Sequence, residues 1–337
     1  MEKATRIFTD IDYDKTGKQI GHLYLPYSVT RSAYGNIAIP VAVIANGKGP
    51  TVFLHAGTHG DEYEGQIALC KLVRALEPGE VNGRIIVMTA TNLPAALAGA
   101  RVSPLDGGNL NRAYPGDPDG GPTKAIAHYV DSVIFPMTQY HLDLHSGGGS
   151  LDYQPFVSMR RSADPEIDRR ALQLLRAFGG PVGMIWAHTL EGGFTDASAI
   201  RHGIVSLGGE FGGGAAVLRS AVGLVERGLQ GVLTHLGLIE RTGQAVNEGE
   251  TQLFEVSDRD HFVLSPDAGL FEFAASIIDD VAAGQLCGHV HFVDDPARPP
   301  VPAHFRRAGR VICTRHLGRV ERGDCLAHLA TPYQGPR

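Results

Sequence analysis

The sequence predicts an α/β protein in two parts: a central sheet covered by helices, then a small all-β domain. Three observations carry that reading. Up to Ile239, short apolar runs alternate with amphipathic helical patterns, as expected of strands joined by helices that cover them. Beyond Ile239 the alternation stops, and short β-like pieces separated by turn-prone sequence take over. The length of 337 residues exceeds the roughly 250 to 300 residues at which one core stops growing, so a large domain with an appendage is expected. The expected division is 1–244 for the large domain and 245–337 for the small one.

The elements follow in chain order. GHLYLPYS and NIAIPVAVIAN read as extra strands at the start, because alternation and β-branched residues outweigh any helical period. Strand-like runs then occupy Val52 to His55, Ile85 to Thr89, Tyr140 to His145, Val182 to Trp186 and Ile204 to Leu207. Amphipathic helices lie between them. One carries Leu69, Leu72, Val73 and Leu76 at i, i+3, i+4 and i+7; a second carries Ile167, Ala171, Leu174, Leu175 and Phe178; a third runs from Leu218 to Leu236. Beyond Ile239 come TQLFEVS, GLFEFAAS, GHVHFV and RVICTRHLG, separated by SPDAG, DDVAAGQ and DDPARPP. The stretch from SPDAGLFEF to GHVHFV resembles the hairpin of biotinyl and lipoyl carrier domains. It has no lysine at that hairpin, so carrier function is not implied.

Composition narrows the function classes. A net charge of −6 offers no basic stripe to nucleic acid or to an anionic membrane, which leaves a small molecule as the expected partner. No two of Cys70, Cys287, Cys313 and Cys325 stand at C-x-x-C spacing, so neither a disulfide framework nor a thiolate zinc site is indicated. MEKATRIFTDIDYDKTG lacks an apolar h-region, and no run approaches the ~20 apolar residues of a membrane span, so a soluble cytoplasmic protein is expected.

In open α/β sheets, ligands bind beyond the carboxyl ends of strands, so the strand ends are where chemistry is expected. HAGTHGDEYEG ends the first buried run with groups that are costly to desolvate. His59 and Glu62, three apart in that turn, can converge on one point. In YHLDLHSGG, strand alternation turns His141, Asp143 and His145 to one side and Leu142 and Leu144 to the other. His145 stands last, before a glycine-rich turn, and is the best-placed third ligand. Two histidines and a glutamate, with water in a fourth position, form a known catalytic zinc set. Each piece alone has a plainer reading. H-x-x-E reads as a surface pair in a chain with 15 histidines, His141 as a hydrogen-bonded core or rim residue, and His289 and His291 as structural or surface residues.

A third strand ends in SLGGEFGGG. The glycines let the backbone turn sharply and leave room for a ligand, and Glu210 between them can take a proton from attacking water and return it to a leaving amine. The alternative role is a cap for the long helix starting near Ala215. Neither G-x-G-x-x-G nor a P-loop is present. In ARVSPLDGGNLNRAYPG, Arg112 beside Asn111 offers the donor fork that grips a carboxylate, and Arg101 can stabilise a developing oxyanion.

H-G-D-E, N-L-N-R followed by Y-P-G, D-L-H-S-G and G-E-F-G occur in that order over about residues 50 to 240. In this the chain resembles the aspartoacylase and succinylglutamate desuccinylase family, a branch of the zinc carboxypeptidase fold. The resemblance implies a mixed central sheet, one zinc ion per chain held by His59, Glu62 and His145, and Glu210 as general base. It further implies Asn111 and Arg112 on the substrate carboxylate, Arg101 at the oxyanion, Asp143 fixing the tautomer of a ligand imidazole, and a homodimer. Within the family, GHLYLPYS, THGDEYEG, SPLDGGNLNRAYPG and SPDAGLFE most resemble the N-acetyl-L-2,4-diaminobutyrate deacetylases of bacterial ectoine degradation.

The expected function is therefore zinc-dependent removal of an acyl group, acetyl foremost, from a small N-acyl amino acid. The β domain is expected to border the cleft, and Trp186 to His202 to shape the pocket. Two alternatives stay open: a metallocarboxypeptidase acting on peptides, and a noncatalytic small-ligand binding protein.

Overall fold

A computed structural model describes residues 4–187, 192–240 and 250–335. The alternating N-terminal segments form a long antiparallel pair, β2 (Gly17–Pro26) and β3 (Asn36–Asn46), preceded by the short β1 (Phe8–Thr9). Next come β4 (Thr51–Ala56), α1 (Glu64–Ala75), β5 (Gly83–Met88), α2 (Leu93–Ala98), α3 (Pro122–Tyr129) and β6 (Tyr140–His145). Every residue of β4 is buried, which explains its unbroken apolar texture: helices cover both of its faces. β7 (Leu151–Tyr153), β8 (Phe156–Arg160), α4 (Pro165–Phe178), β9 (Val182–Trp186), α5 (Thr195–Arg201), β10 (Val205–Glu210) and α6 (Arg219–His235) follow.

The C-terminal strands are β11 (Gln252–Val256), β12 (Phe262–Leu264), β13 (Gly269–Phe273), β14 (Asp280–Val281), β15 (Leu286–His291), β16 (Val301–His304), β17 (Gly309–Arg315), β18 (Arg319–Val320) and β19 (Cys325–Pro332). The large sheet runs β1-β2-β3-β5-β4-β6-β10-β8-β9-β11-β19-β17-β14 and mixes parallel and antiparallel pairs. A separate antiparallel sheet, β16-β15-β13-β18, lies at the C-terminal end. This is the expected α/β class with a mixed central sheet and C-terminal β structure. The expected boundary near residue 245 lies outside the described residues. On the far side of it, β11 pairs parallel with β9 and antiparallel with β19, so the large sheet continues into the C-terminal strands.

The helices cover both faces. α1, α4 and α6 bury Leu69, Val73, Leu174, Phe178, Val225 and Leu229 against one side of the sheet. α3, α5 and the segment after α3 bury Ile126, Val130, Phe135 and Ala199 against the other. Among the described residues, no helix is long and apolar enough to cross a membrane.

Two local readings change. β10 extends three residues past the expected end at Leu207, so Gly208 and Gly209 are strand residues and not a turn. Their smallness makes room instead: a Cβ on Gly209 would run into the Phe211 ring and the Phe156 carbonyl. The acid at the start of α6 is Glu64, whose Oε1 accepts from the Leu218 amide at 3.0 Å, so Glu210 is not the cap.

Candidate metal centre and active site

β4, β6 and β10 lie side by side and parallel, so their carboxyl ends open at one edge of the sheet. Pairing sets Glu210 directly opposite His145. Alternation along β6 sends Leu142 and Leu144 into the core under α1, α4 and α6, leaving His141, Asp143 and His145 on the other face. The turn after β4 bends at Gly57, whose φ of 67° suits glycine, and Gly60 runs so close to the Ala95 backbone that no Cβ fits. That tight passage brings His59 and Glu62 against the end of β6.

The predicted ligands meet. His59 Nδ1 lies 2.7 Å from Glu62 Oε1, His145 Nδ1 lies 2.8 Å from Glu62 Oε2, and the two imidazole centres are 5.1 Å apart. One donor atom from each residue falls within 4.8 Å of the other two, and no other such trio exists among the described residues. The remaining imidazole nitrogens have acceptors of their own: His59 Nε2 is 3.1 Å from Asn109 Oδ1, and His145 Nε2 is 2.9 Å from Asp143 Oδ2. With Nε2 donating outward, both Nδ1 lone pairs turn toward Glu62. Asp143 is held in turn by the Thr58 hydroxyl, which donates at 3.1 Å.

The electrostatics favour positive charge at this point. Burial works to raise the Glu62 carboxyl, but the His59 and His145 imidazoles overcome it and bring it down to about 2. Asp143 is likewise buried and held far below the usual carboxylate range by His145 and His55. Burial disfavours a charged His145, yet Asp143 and Glu62 drive it well above the usual imidazole range. Two buried carboxylates need compensating positive charge, which protons on the imidazoles supply and which a cation at the Nδ1 atoms would supply in their place. Two histidines and one carboxylate make a donor set that fits zinc and leaves room for a further ligand.

Glu210 differs. Burial, and then the charge of Glu62, push its carboxyl well above the usual range, and its buried Oε2 has no hydrogen-bond partner among the described residues. Arg101, whose side chain is 44% exposed, reaches Glu62 Oε1 at 3.4 Å. The Asn111 carbonyl is occupied by the Thr195 amide at 2.9 Å, while its amide nitrogen sits 3.4 Å from His145 Nε2. The Arg112 guanidinium lies 4.0 Å over the Phe194 ring. Burial lowers the Arg112 pKa, the charges of Arg101 and Arg160 add to that, and Asp196 opposes them.

All eight predicted site residues line or border one cavity of about 300 Å3, whose wall includes His59, Glu62, Arg101, Asn111, Arg112, Asp143, His145 and Glu210. Sequence reasoning missed other members: Arg160, which pairs with Asp196 at 2.8 Å, and Tyr153, Phe262 and His328, which with Trp186 form an aromatic wall. It also missed Asn109, although N-L-N-R begins there. Of the segment expected to shape the pocket, Trp186, Phe194 and Asp196 do line it, while residues 188–191 lie outside the described residues. His141 is a core residue, buried with Nε2 2.8 Å from His55 Nε2 and Nδ1 2.8 Å from Ser206 Oγ. The His289 and His291 rings, 6.2 Å apart on β15, are not among the cavity's residues. A larger cleft of about 910 Å3 beside α1 and α6 contains none of these residues.

Comparison with known proteins agrees with the motif order. Residues 48–236 match the succinylglutamate desuccinylase/aspartoacylase catalytic domain. An N-alpha-acetyl-L-2,4-diaminobutyric acid deacetylase from Halomonas elongata is 38% identical over 330 residues, covering 98% of this chain and 96% of its own. A succinylglutamate desuccinylase/aspartoacylase structure from Rhodobacter sphaeroides is 40% identical, with a TM-score of 0.93 over 98% of this chain and 100% of that one. The product-bound ectoine utilization protein EutE (DoeB) from Ruegeria pomeroyi is 37% identical with the same TM-score of 0.93, again covering 98% and 100% of the two chains.

Proposed function

Because the chain belongs to the succinylglutamate desuccinylase/aspartoacylase family, we propose that it is a zinc-dependent deacylase of small N-acyl amino acids, with N-α-acetyl-L-2,4-diaminobutyrate as the leading substrate. The observation that carries this is the meeting of His59, Glu62 and His145 near the Glu210 carboxyl, whose Oε2 has no hydrogen-bond partner among the described residues, at the wall of one small cavity. His59 Nδ1, Glu62 and His145 Nδ1 would hold one ion per chain. Bound there, zinc would supply Lewis-acid activation of water and of the scissile carbonyl.

The chain's own residues do the rest. Asn109 and Asp143 keep the ligand imidazoles in the tautomer that offers Nδ1. Glu210 accepts the proton of the attacking water and delivers it to the nitrogen of the departing amine, a two-way task that suits a carboxyl raised well above its usual range. Arg101, pointing at Glu62, donates to the developing oxyanion. Arg112 grips the α-carboxylate, and the Asn111 amide group assists it.

Phe262, Cys325 and His328 of the C-terminal strands line the cavity, which supports a β domain that borders the cleft. A volume of about 300 Å3 suits an acyl amino acid and argues against a peptide. Free thiols at all four cysteines fit a reducing cytoplasm. A homodimer follows from the family likeness, and light scattering tests it.

The deciding experiment is a hydrolysis screen of acetyl, formyl and succinyl amino acids and short peptides, with metal content measured on the same sample. Release of acetate from N-α-acetyl-L-2,4-diaminobutyrate by protein holding about one zinc per chain is expected. Faster cleavage of peptides would favour a carboxypeptidase, and no turnover by metal-loaded protein would favour a binding protein.

A further inference from the structure

His328 is the most unusual residue in the cavity. It is 1% exposed on β19, and neither ring nitrogen has a hydrogen-bond partner among the described residues. A buried imidazole without partners carries a desolvation cost of about 1 to 3 kcal/mol that an apolar residue would avoid. The ring is nevertheless held firmly: it stacks on Phe262 at 4.1 Å and 17°, faces Trp186 at 5.4 Å and 26°, and meets Tyr153 edge-on at 6.3 Å. A polar group fixed by packing and denied a protein partner, on the wall of an active-site cavity, is arranged to meet a ligand.

The cavity's polar groups divide by chain segment. Cationic groups come from the 101–112 loop and the end of β8, as Arg101, Arg112 and Arg160, with the Phe194 ring under the Arg112 guanidinium; the other aromatic groups come from β7, β9, β12 and β19. The first set suits a carboxylate and the scissile amide. The second is left for the side chain of the amino acid. Burial pushes the His328 imidazole down to about 3, with the neighbouring His261 adding to the effect, so at neutral pH the ring is uncharged and offers a lone pair. A lone pair in an aromatic setting suits a protonated amine, which bonds to the nitrogen and is attracted to the ring faces.

We propose that His328 is a specificity-determining residue: its imidazole accepts a hydrogen bond from an amine on the side chain of the bound N-acyl amino acid. This rests on the deacylase reading above. The metal-centre residues cleave the amide, and the aromatic wall with His328 tests what hangs from the α-carbon.

The test compares N-α-acetyl-L-2,4-diaminobutyrate with N-acetyl-L-norvaline, which has a methyl group where the amine would be. His328→Phe, which preserves the ring stack, should lower the kcat/KM ratio of the first substrate to the second by about 10- to 100-fold, the worth of a hydrogen bond to a charged group. His328→Gln, which keeps an acceptor, should recover part of it. An unchanged ratio would overturn the proposal, as would an equal loss on both substrates. A second readout needs no turnover. In ¹⁵N-histidine-labelled, zinc-loaded protein, the ring signals absent from His328→Phe should shift on saturation with L-2,4-diaminobutyrate and not with L-norvaline; no shift, or the same shift with both, overturns it. Failure of the deacylase reading is separately visible, as wild-type protein that cleaves neither substrate.

Discussion

Glu62 touches both candidate ligand imidazoles, while Glu210 Oε2 has no hydrogen-bond partner among the described residues, and this contrast separates their proposed roles. Glu210→Gln is expected to lower kcat/KM by about 10²- to 10⁴-fold with zinc content unchanged, measured by assay and elemental analysis on one sample. Asp143→Asn removes the charge behind His145 and should weaken zinc binding by about 10- to 100-fold in a competition titration with a chelator. Two buried histidines set an acid limit on stability. His55 and His328 are lowered from 6.5 to about 4 and about 3 by burial, so the unfolded chain takes up protons that the folded one refuses. Their contribution is complete above pH 6.5 and is lost as pH falls from there toward 4 and then 3. His328→Phe should therefore gain about 2 kcal/mol on wild type between pH 7 and pH 5, read from urea unfolding at both values; a constant difference would refute it. H-x-x-E and D-L-H were legible at this scale because ligand spacing is local. His328 was not, since what marks it is the absence of a partner in three dimensions.

Elements deliver these side chains by close passage. Gly60 crosses the Ala95 backbone without room for a Cβ, so Gly60→Ala should push the His59–Glu62 turn off β6, visible as lost zinc in a protein that still folds by circular dichroism. α4 and α6 meet where Gly228 faces the Phe178 ring; Gly228→Ala should overpack that contact and cost about 1 to 3 kcal/mol in chemical denaturation. The helical periods of α1, α4 and α6 and the alternation in β2 and β3 were readable because each buries a regular face. β10 was read short, since Gly208 and Gly209 look like a turn in sequence. Only the strands on either side, β6 and β8, show that the backbone continues to Glu210. Asn109 escaped for a similar reason: its contact with His59 spans fifty residues, and nothing in the loop marks which asparagine turns inward.

Across the whole molecule, the parallel strands β4, β6 and β10 bring the candidate site residues to one edge, and Phe262, Cys325 and His328 of the C-terminal strands line the same cavity. Alternating texture announced the two kinds of structure. It did not announce that β11 and β19 would extend the large sheet, because strand pairing over such separations depends on which edge is open and not on composition. β19 bonds to β11, β12 and β17, and so sets His328, whose ring nitrogens have no hydrogen-bond partner among the described residues, in a rigid frame far along the chain from the candidate metal loop. On the proposed reading, cutting and tasting are thus inherited from different stretches of polypeptide. On that reading, mutation at the back wall would alter the diet of the enzyme while the blade stays sharp.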